Sequence, residues 1–339
     1  MTPPRILFVV DAGPSVGGGH VMRSLTLAKA LEAQGASCAF SGPPAMAELL
    51  DAFSSEMARI PAGELAGTGA REAFDAVVFD HYGLSAPDHR AIAQGRPVLA
   101  IDDLADRPLG ADLVLDSGPA RKAEDYLALT PDHARLLLGP TFAPVRPEFA
   151  ALRETALAWR GEPVQRILVA MGLTDVGGVT ARLVERLRPR MDETGLDIVL
   201  GAAAPSLAGL AKVARRDRRL TLHVDTPHMA RLTAEADIGI GAPGSSTWER
   251  CTLGLPSVLV VLAENQRPAA RAMAEAGAAL VVDLAAPDFD AAFDRALMRL
   301  LRDANLRRDL ARASAAICDG LGAGRTAEAF LAVIASRSA

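Results

Sequence analysis

The sequence predicts an α/β protein with two doubly wound domains, each containing a parallel sheet covered by helices. Short, near-continuous apolar stretches alternate with helical stretches along the chain, which is typical of buried parallel strands. The stretch RILFV at residues 5–9 recurs as RILVA at residues 166–170, and each copy runs into a glycine-containing loop and then a helical pattern. The length of 339 residues suits two domains of about 100 to 200 residues each.

The same alternation predicts the individual elements of each half. In the first half, strands are expected at residues 6–10, 37–40, 76–79, 98–101 and 113–115, with helices at 21–33 and 87–94. In the second half, strands are expected at residues 166–170, 197–200, 220–224, 238–240, 257–261 and 280–282. Ligands of doubly wound sheets bind outside the carboxyl ends of the strands, so polar side chains at those ends are the candidate functional residues.

A proline-rich segment at residues 139–147, a helix to about residue 160 and the sequence Gly161-Glu162-Pro163 indicate the connection between the domains. The predicted division is a first domain at 1–146, a linker at 147–163, a second domain at 164–324, and a last helix within 325–339 that returns to the first domain. A cleft between two such domains is the expected ligand site.

Composition excludes several classes of function. A net charge of −5 disfavours a nucleic-acid surface, which would be basic. Three widely spaced cysteines form no C-x-x-C pair, so neither a disulfide framework nor a zinc site is predicted, and no cofactor or other metal site is indicated. No apolar stretch is long enough for a signal segment or a spanning helix, so we expect a cytoplasmic protein without stable membrane insertion.

The first glycine loop, Gly17-Gly18-Gly19, lies between a predicted strand and a predicted helix. It lacks the third glycine of a dinucleotide fingerprint, and no P-loop motif occurs in the chain. Glycines at a helix start still let backbone N–H groups approach a phosphate. His20 follows directly; it is either an ordinary residue of the first helical turn or a general base, since a histidine titrates near neutral pH.

A second polar cluster, Asp80-His81-Tyr82-Gly83, directly follows the predicted strand at residues 76–79. It therefore lies at a carboxyl end, where α/β enzymes place their chemistry. The alternative is a plain turn, because aspartate and glycine are common turn residues. Asp80 and Tyr82 are the stronger functional candidates of this cluster, and His81 is the weaker one.

Two further clusters follow strands in the second half. Ser245, Ser246 and Glu249 open a helix after residues 238–240, and Ser246 with Glu249 fits a capping box, which is a sufficient structural role. The same groups also suit a diphosphate and the two hydroxyls of a ribose. Asn265 and Gln266 follow residues 257–261; they fit a helix start, or amides that bind sugar hydroxyls or acetamido groups.

Together these clusters resemble a known family, the UDP-2,4-diacetamido-2,4,6-trideoxy-β-L-altropyranose hydrolases of pseudaminic acid biosynthesis. The resemblance covers roughly the whole chain, and the motifs that carry it are GGGHVMRSLTLA at residues 17–28, DHYG at 80–83, MGLTD at 171–175, GSSTWE at 244–249 and NQ at 265–266. It implies a GT-B-like fold, with two Rossmann-type domains that face an inter-domain cleft. It also implies release of UDP in a pathway that serves flagellin glycosylation in many bacteria, or surface polysaccharide.

The resemblance implies a role for each matching residue. His20, Tyr82 and Asp80 are the expected catalytic residues. The residues expected to bind UDP or the sugar are Gly17, Gly18, Gly19, Arg23, Gly172, Thr174, Ser245, Ser246, Glu249, Asn265 and Gln266. Three positions depart from the family pattern: Val9 stands where an arginine is frequent, Leu173 replaces a second glycine, and Ser24 replaces a frequent cysteine, which we interpret as a packing change. The competing hypothesis is a GT-B glycosyltransferase that uses a UDP-amino sugar, because one fold hosts several functions.

Overall fold

A computed structural model describes residues 3–13, 17–61, 63, 73–160 and 163–338. The chain forms two compact units, Met1–Val145 together with Leu321–Ala339, and Arg146–Gly320. Each unit contains one sheet whose strand pairs are all parallel, so the predicted α/β architecture is confirmed. In the described part of the chain, no helix is long and apolar enough to cross a membrane.

The first unit contains a seven-stranded sheet. Its strands are β1 (Arg5–Val10), β2 (Ser37–Ser41), β3 (Ala58–Arg59), β4 (Ala76–Asp80), β5 (Val98–Ile101), β6 (Leu113–Asp116) and β7 (Arg135–Leu138). Their order across the sheet is β3-β2-β1-β4-β5-β6-β7. The helices before residue 145 are α1 (Gly19–Glu32), α2 (Pro44–Phe53) and α3 (Ala86–Ala93), with 3₁₀ turns at Ala123–Asp125 and Pro140–Phe142.

The position of β1 follows from its sequence. Residues 6–10 are all buried, as expected of a strand covered on both faces, and β1 lies between β2 and β4. Val10 pairs with Asp80 at the carboxyl ends of β1 and β4, and the order of strands reverses between these two. The gap between them is therefore a topological switch point, the usual ligand position in such sheets.

The second unit contains a six-stranded sheet. Its strands are β8 (Arg166–Ala170), β9 (Gly195–Leu200), β10 (Leu220–Val224), β11 (Ile238–Gly241), β12 (Ser257–Val261) and β13 (Leu280–Asp283), in the order β10-β9-β8-β11-β12-β13. Its helices are α4 (Pro147–Ala158), α5 (Val179–Leu187), α6 (Leu207–Ala214), α7 (Met229–Glu235), α8 (Ser246–Thr252), α9 (Arg267–Glu275), α10 (Phe289–Arg302) and α11 (Ala304–Ile317). The 3₁₀ turns are Val176–Gly178, Arg188–Arg190 and Glu264–Gln266.

The two similar apolar stretches in the sequence take equivalent positions. In the second sheet β8 lies between β9 and β11, as β1 lies between β2 and β4 in the first. Every strand expected from the sequence is present. The sequence analysis did not predict the edge strands β3 and β7. β3 has only two residues, whereas β7 reads RLLL, a short apolar stretch that the sequence analysis did not select.

The chain ends in α12 (Gly322–Ser338), which belongs to the first unit. Ala327, Phe330 and Ile334 of this helix are buried in the same core as β1. Gly322 lies against the backbone near Ala143, where a Cβ atom would stand 2.4 Å from the Ala143 carbonyl oxygen. Of the predicted connection between the domains, residues 147–158 form α4 of the second unit, and Gly161 and Glu162 lie outside the described residues.

The side chain of His89 on α3 is buried in the first unit. Its ring stacks on Phe79 with centroids 4.2 Å apart and planes 12° from parallel. The residue is 1% exposed, and within the described chain neither ring nitrogen has a partner. Burial, with a smaller contribution from Arg107, lowers the pKa of His89 to about 4. The folded protein therefore holds this ring neutral at neutral pH.

We expect His89→Phe to reduce the acid sensitivity of the fold. In the unfolded wild-type chain the ring binds a proton near its ordinary pKa of about 6.5, whereas the folded state resists protonation until the pH approaches 4. Stability is therefore complete above the unfolded pKa and falls as the pH drops toward the folded one. Between pH 7 and pH 5 this loss is on the order of 2 kcal/mol, and the variant should lack it.

Urea unfolding at the two pH values measures the difference. The matched control is His228→Gln, which changes an exposed histidine and should keep the wild-type pH dependence. Equal pH dependence in His89→Phe and in the wild type would show that the prediction is wrong.

Candidate active site

The first candidate site is built around the buried carboxylate of Asp80, the last residue of β4. Asp80 is fully buried, and its Oδ2 accepts hydrogen bonds from Arg23 Nε at 2.8 Å and from Ser24 Oγ at 2.9 Å. Its Oδ1 accepts from Arg23 Nη2 at 2.6 Å and lies 2.8 Å from His20 Nδ1. All three partners lie in the first two turns of α1, so one carboxylate connects the start of this helix to the end of β4.

The charge of Asp80 is stabilised by these partners. Burial alone would raise the pKa of the carboxyl, but the Arg23 guanidinium and the His20 ring outweigh burial and hold that pKa well below its usual range. A buried carboxylate that accepts four close contacts remains ionised at neutral pH. Asp80 is thus an acceptor for its neighbours and has no contact with open space.

The orientation of His20 follows from the Asp80 carboxylate. The ring is 4% exposed, and its Nδ1 lies 2.8 Å from Asp80 Oδ1 and 3.2 Å from the Asp80 carbonyl oxygen. Both of these atoms are acceptors, so Nδ1 carries the proton, and in the neutral ring Nε2 has the free lone pair. An Asp–His pair of this geometry can accept a proton at Nε2.

Tyr82 contacts the His20 ring. The two rings meet edge to face, with centroids 4.5 Å apart and planes 88° from parallel. Burial, followed by the negative charge of Asp103, raises the pKa of the Tyr82 phenol well above its ordinary value. Asp103 in turn accepts a hydrogen bond from Arg23 Nη1 at 2.9 Å. The phenol therefore stays protonated and can donate a hydrogen bond.

Two other predicted residues have positioning roles here. All three donating nitrogens of the Arg23 guanidinium contact Asp80 or Asp103, so Arg23 orients these carboxylates; its predicted contact with UDP stays a prediction. Ser24, interpreted from sequence as a packing change, instead donates a hydrogen bond to Asp80, which corrects that interpretation.

The His81 ring takes part in a hydrogen bond within the turn after β4. Its Nδ1 accepts a hydrogen bond from the Gly83 N–H at 2.9 Å, and its carbonyl accepts from Arg107 Nη2 at 2.9 Å. Burial lowers the pKa of His81, and the charge of Asp11 opposes that shift. This agrees with the turn interpretation of His81 in the sequence.

The glycine loop ends at the start of α1. Gly17 has a φ of +79°, and its N–H donates to the Gly13 carbonyl at 2.7 Å, while Gly18 caps α1 and Gly19 is its first residue. The positive φ at Gly17 explains one glycine of the three. Pro14, Ser15 and Val16, which precede the loop, lie outside the described residues.

In the second unit, the loop after β8 contains Gly172 and Thr174. Gly172 has a φ of +107°, and Thr174 is half-buried. Asp175, which the sequence analysis did not select, is fully buried and orients the loop: its Oδ1 accepts from Thr180 N and Oγ1 at 2.9 and 2.6 Å. Positive φ angles recur at Gly177 and Gly178, so the backbone freedom expected at position 173 lies further along this loop.

The start of α8 differs from the capping box that its sequence fits. Ser245 is the N-cap and no side chain caps the helix, so Ser246 and Glu249 do not form the box. Glu249 Oε1 instead accepts from Arg146 Nη2 at 2.8 Å and Nε at 3.0 Å. The capping-box alternative is therefore wrong, because the helix begins at Ser246, one residue earlier than the box requires.

Asn265 and Gln266 lie in the 3₁₀ turn after β12. Gln266 Oε1 accepts the Leu262 N–H at 2.9 Å, which leaves its NH₂ group as a donor, and Asn265 is exposed. The loops after β8, β11 and β12 follow the carboxyl ends of parallel strands, which meet at one edge of the second sheet. That edge carries all of the ligand-binding residues expected in this unit.

Sequence reasoning missed several residues that the structure brings to these sites. Asp103 follows β5 and could have been found by the same strand-end rule that found Asp80. Asp175 appeared only as the last residue of the motif at 171–175, although its partner Thr180 is five residues away. Arg146 pairs with Glu249, 103 residues further along the chain, and no spacing in the sequence signals that contact.

The two parallel α/β units define the GT-B fold. MurG from Acinetobacter baumannii matches with a TM-score of 0.66 and 19% identity, over 97% of this chain and 99% of that chain. A complex of Staphylococcus aureus MnaA with UDP matches with a TM-score of 0.64 and 15% identity, over 95% and 94% of the two chains.

In sequence, the chain is similar to the UDP-2,4-diacetamido-2,4,6-trideoxy-β-L-altropyranose hydrolase of Campylobacter jejuni. The two are 26% identical over 278 residues, which are 80% of this chain and 97% of the relative. No protein-family model matches the chain.

We expect Asp80→Asn to destabilise the first unit strongly. The amide of the variant cannot neutralise Arg23. Its NH₂ group would also replace a carboxylate oxygen that accepts hydrogen bonds, so two donors would face each other. Breaking a buried charged pair in this way costs about 3–5 kcal/mol of stability. Urea unfolding measures the change. The control is Asp51→Asn, which breaks the ion pair between Asp51 and Arg59. The Asp51 side chain is 64% exposed, so this variant should lose at most about 1 kcal/mol of stability. Similar losses in the two variants would contradict the account.

Proposed function

We propose that the protein hydrolyses UDP-2,4-diacetamido-2,4,6-trideoxy-β-L-altropyranose at its anomeric carbon and releases UDP and the free sugar, which enters pseudaminic acid synthesis. The observation that carries the proposal is the His20–Asp80 pair at the start of α1, whose Nδ1 contacts assign the lone pair of the neutral ring to Nε2. The similarity to the C. jejuni hydrolase, across 97% of that protein, supports this substrate.

In the proposed reaction a water oxygen attacks C1 of the sugar while the bond from C1 to the diphosphate oxygen breaks. The electron pair of the broken bond leaves on UDP, and the water proton passes to His20 Nε2. UDP is a stable leaving group, so the main requirements are a positioned water and stabilised diphosphate charge. Asp80 stabilises the imidazolium that forms, since its carboxylate contacts the opposite ring nitrogen.

Tyr82 has a supporting role in this proposal. Its phenol stays protonated because burial and the charge of Asp103 raise its pKa, and its hydrogen bond to Asp103 holds that proton, so Tyr82 does not act as the base. Its edge-to-face contact also restrains the His20 ring. In this proposal Gly18 and Gly19 supply backbone N–H groups at the helix start for a phosphate. Gly17, whose N–H donates to the Gly13 carbonyl, shapes the loop through its positive φ.

The second unit supplies the nucleotide-binding groups of the proposal. The predicted contacts to UDP and the sugar come from Gly172, Thr174, Ser245, Ser246, Glu249, Asn265 and Gln266. Since Arg146 occupies Oε1 of Glu249, Oε2 is the oxygen left to accept from a ribose hydroxyl. The S. aureus MnaA structure, which shares the fold, contains UDP, and this supports a UDP-containing ligand.

The experiment that tests the function incubates the UDP-sugar in ¹⁸O-water without any acceptor. We expect UDP release with the label in the free sugar, because water attacks carbon. His20→Ala should lower the rate about 10²- to 10⁴-fold, the usual effect of removing a general base. The affinity for UDP should be unchanged.

The matched control is His223→Ala. His223 lies on β10 of the second unit, and its Nε2 is also 2.8 Å from an aspartate oxygen, Asp197 Oδ1. It should keep the wild-type rate. Label in UDP would contradict attack at carbon, and release that requires an acceptor would favour the competing glycosyltransferase. Near wild-type turnover of His20→Ala would refute its role as the base.

A further inference from the structure

The loop after β5 carries Asp103, which contacts two residues beside His20. Its Oδ2 accepts from Arg23 Nη1 at 2.9 Å, and its carboxylate is hydrogen-bonded to the Tyr82 phenol. Arg23 in turn contacts the Asp80 carboxylate, and the Tyr82 ring contacts the His20 ring. The position of Asp103 therefore affects both groups that surround the proposed base.

The backbone of this loop has a conformation that a residue with a Cβ atom disfavours. Ala105 has a φ of +51°, which lies in the left-handed region. Its N–H donates to Asp102 Oδ2 at 2.7 Å, and Arg107 Nη1 donates to Asp102 Oδ1 at 2.7 Å. Strained backbone persists where the surrounding contacts determine it, and such positions cluster at active sites. Asp102 therefore closes the loop around Asp103.

Asp102 is held in turn by a tyrosine that lies between two carboxyl groups. Tyr126 is fully buried, and its Oη lies 2.8 Å from Asp102 Oδ2 and 2.8 Å from Asp116 Oδ2. A phenol has one hydrogen, so both contacts are hydrogen bonds only when one carboxyl group is protonated as well. A chain from protonated Asp116 through Tyr126 to Asp102 satisfies both contacts, and it agrees with the raised pKa that burial gives Asp116. The phenol thus connects the carboxyl ends of β5 and β6.

Arg121 makes a second connection to the same loop. Its Nε donates to Asp116 Oδ2 at 2.7 Å, and its Nη2 donates to the Asp103 carbonyl oxygen at 2.9 Å. Asp116 is also fixed by the Gly118 N–H, which donates to its Oδ1 at 2.7 Å. The side chain and the backbone of Asp103 are therefore held by two different arginines, Arg23 and Arg121.

We propose that Tyr126 is a positioning residue for Asp103. By connecting the ends of β5 and β6, its phenol sets the loop in which the Asp103 carboxylate meets Tyr82. Tyr126 then acts on the proposed base through this loop and through Tyr82. Its effect on hydrolysis rests on the proposed function, whereas its effect on the contact between Asp103 and Tyr82 does not.

The sequence contains two tyrosines, which makes the contact between Asp103 and Tyr82 directly measurable by NMR. Protein labelled with carbon-13 at tyrosine Cζ gives one signal for Tyr82 and one for Tyr126, and Tyr82→Phe assigns them. Tyr126→Phe keeps the ring and removes the hydroxyl, so we expect it to move the Tyr82 signal toward its position in Asp103→Asn. Arg121→Met, at a side chain that is 22% exposed, should move the signal in the same direction.

The matched control is Asp112→Asn. Asp112 is a buried carboxylate directly before β6, at the opposite end of that strand, and it accepts the Val98 N–H at 2.8 Å. Its variant should lower the melting temperature but leave the Tyr82 signal in place. An unmoved Tyr82 signal in Tyr126→Phe, or an equal movement in Asp112→Asn, would overturn the proposal. If Tyr126→Phe does not fold, an unmoved signal in Arg121→Met would overturn it.

Hydrolysis of the UDP-sugar gives a second readout. In Tyr126→Phe we expect kcat to fall about 10-fold and KM to stay within about 2-fold, since a displaced base weakens mainly the transition state. Asp112→Asn should keep both constants. Wild-type kcat in Tyr126→Phe would overturn the positioning role. Wild-type protein that does not hydrolyse the UDP-sugar would refute the proposed function, and the Tyr82 signal would still decide whether Tyr126 positions Asp103.

Discussion

The first site depends on one buried carboxylate. Asp80 ends a central strand and receives Arg23, Ser24 and His20 from a single helix, so the strand end and the helix start are fixed to each other by charge as well as by packing. Its charge is maintained by Arg23 and His20 against the effect of burial on the pKa. The same contacts orient the His20 ring, so the stability of this region and the proposed chemistry rest on one interaction.

The second site uses charge in a different way. Where Asp80 has close cationic partners, Arg250 is buried with neutral partners below the start of α8. In our proposal the first arrangement orients a base.

Much of the fold was predictable because buried parallel strands are nearly continuous apolar runs, as residues 6–10 show. The strand-end rule also placed Asp80 and Tyr82 beside His20. The edge strand β3 was not predictable, since two residues carry no pattern. The roles of Arg23 and Ser24 depend on Asp80, more than 50 residues away, a contact that only the folded chain shows. The capping-box interpretation was wrong because either Ser245 or Ser246 can precede a helix, and the sequence does not distinguish them. Ser245 is the N-cap in the structure, and Glu249 pairs with Arg146.

The central claim is that Asp80 fixes His20 with the proton on Nδ1 and the lone pair on Nε2. Nitrogen-15 NMR of ring-labelled protein, at a pH where the ring is neutral, tests it directly. The account predicts a protonated Nδ1 and an unprotonated Nε2 for His20. A ring with the proton on Nε2 would contradict the account, because that nitrogen could not then accept the proton of water.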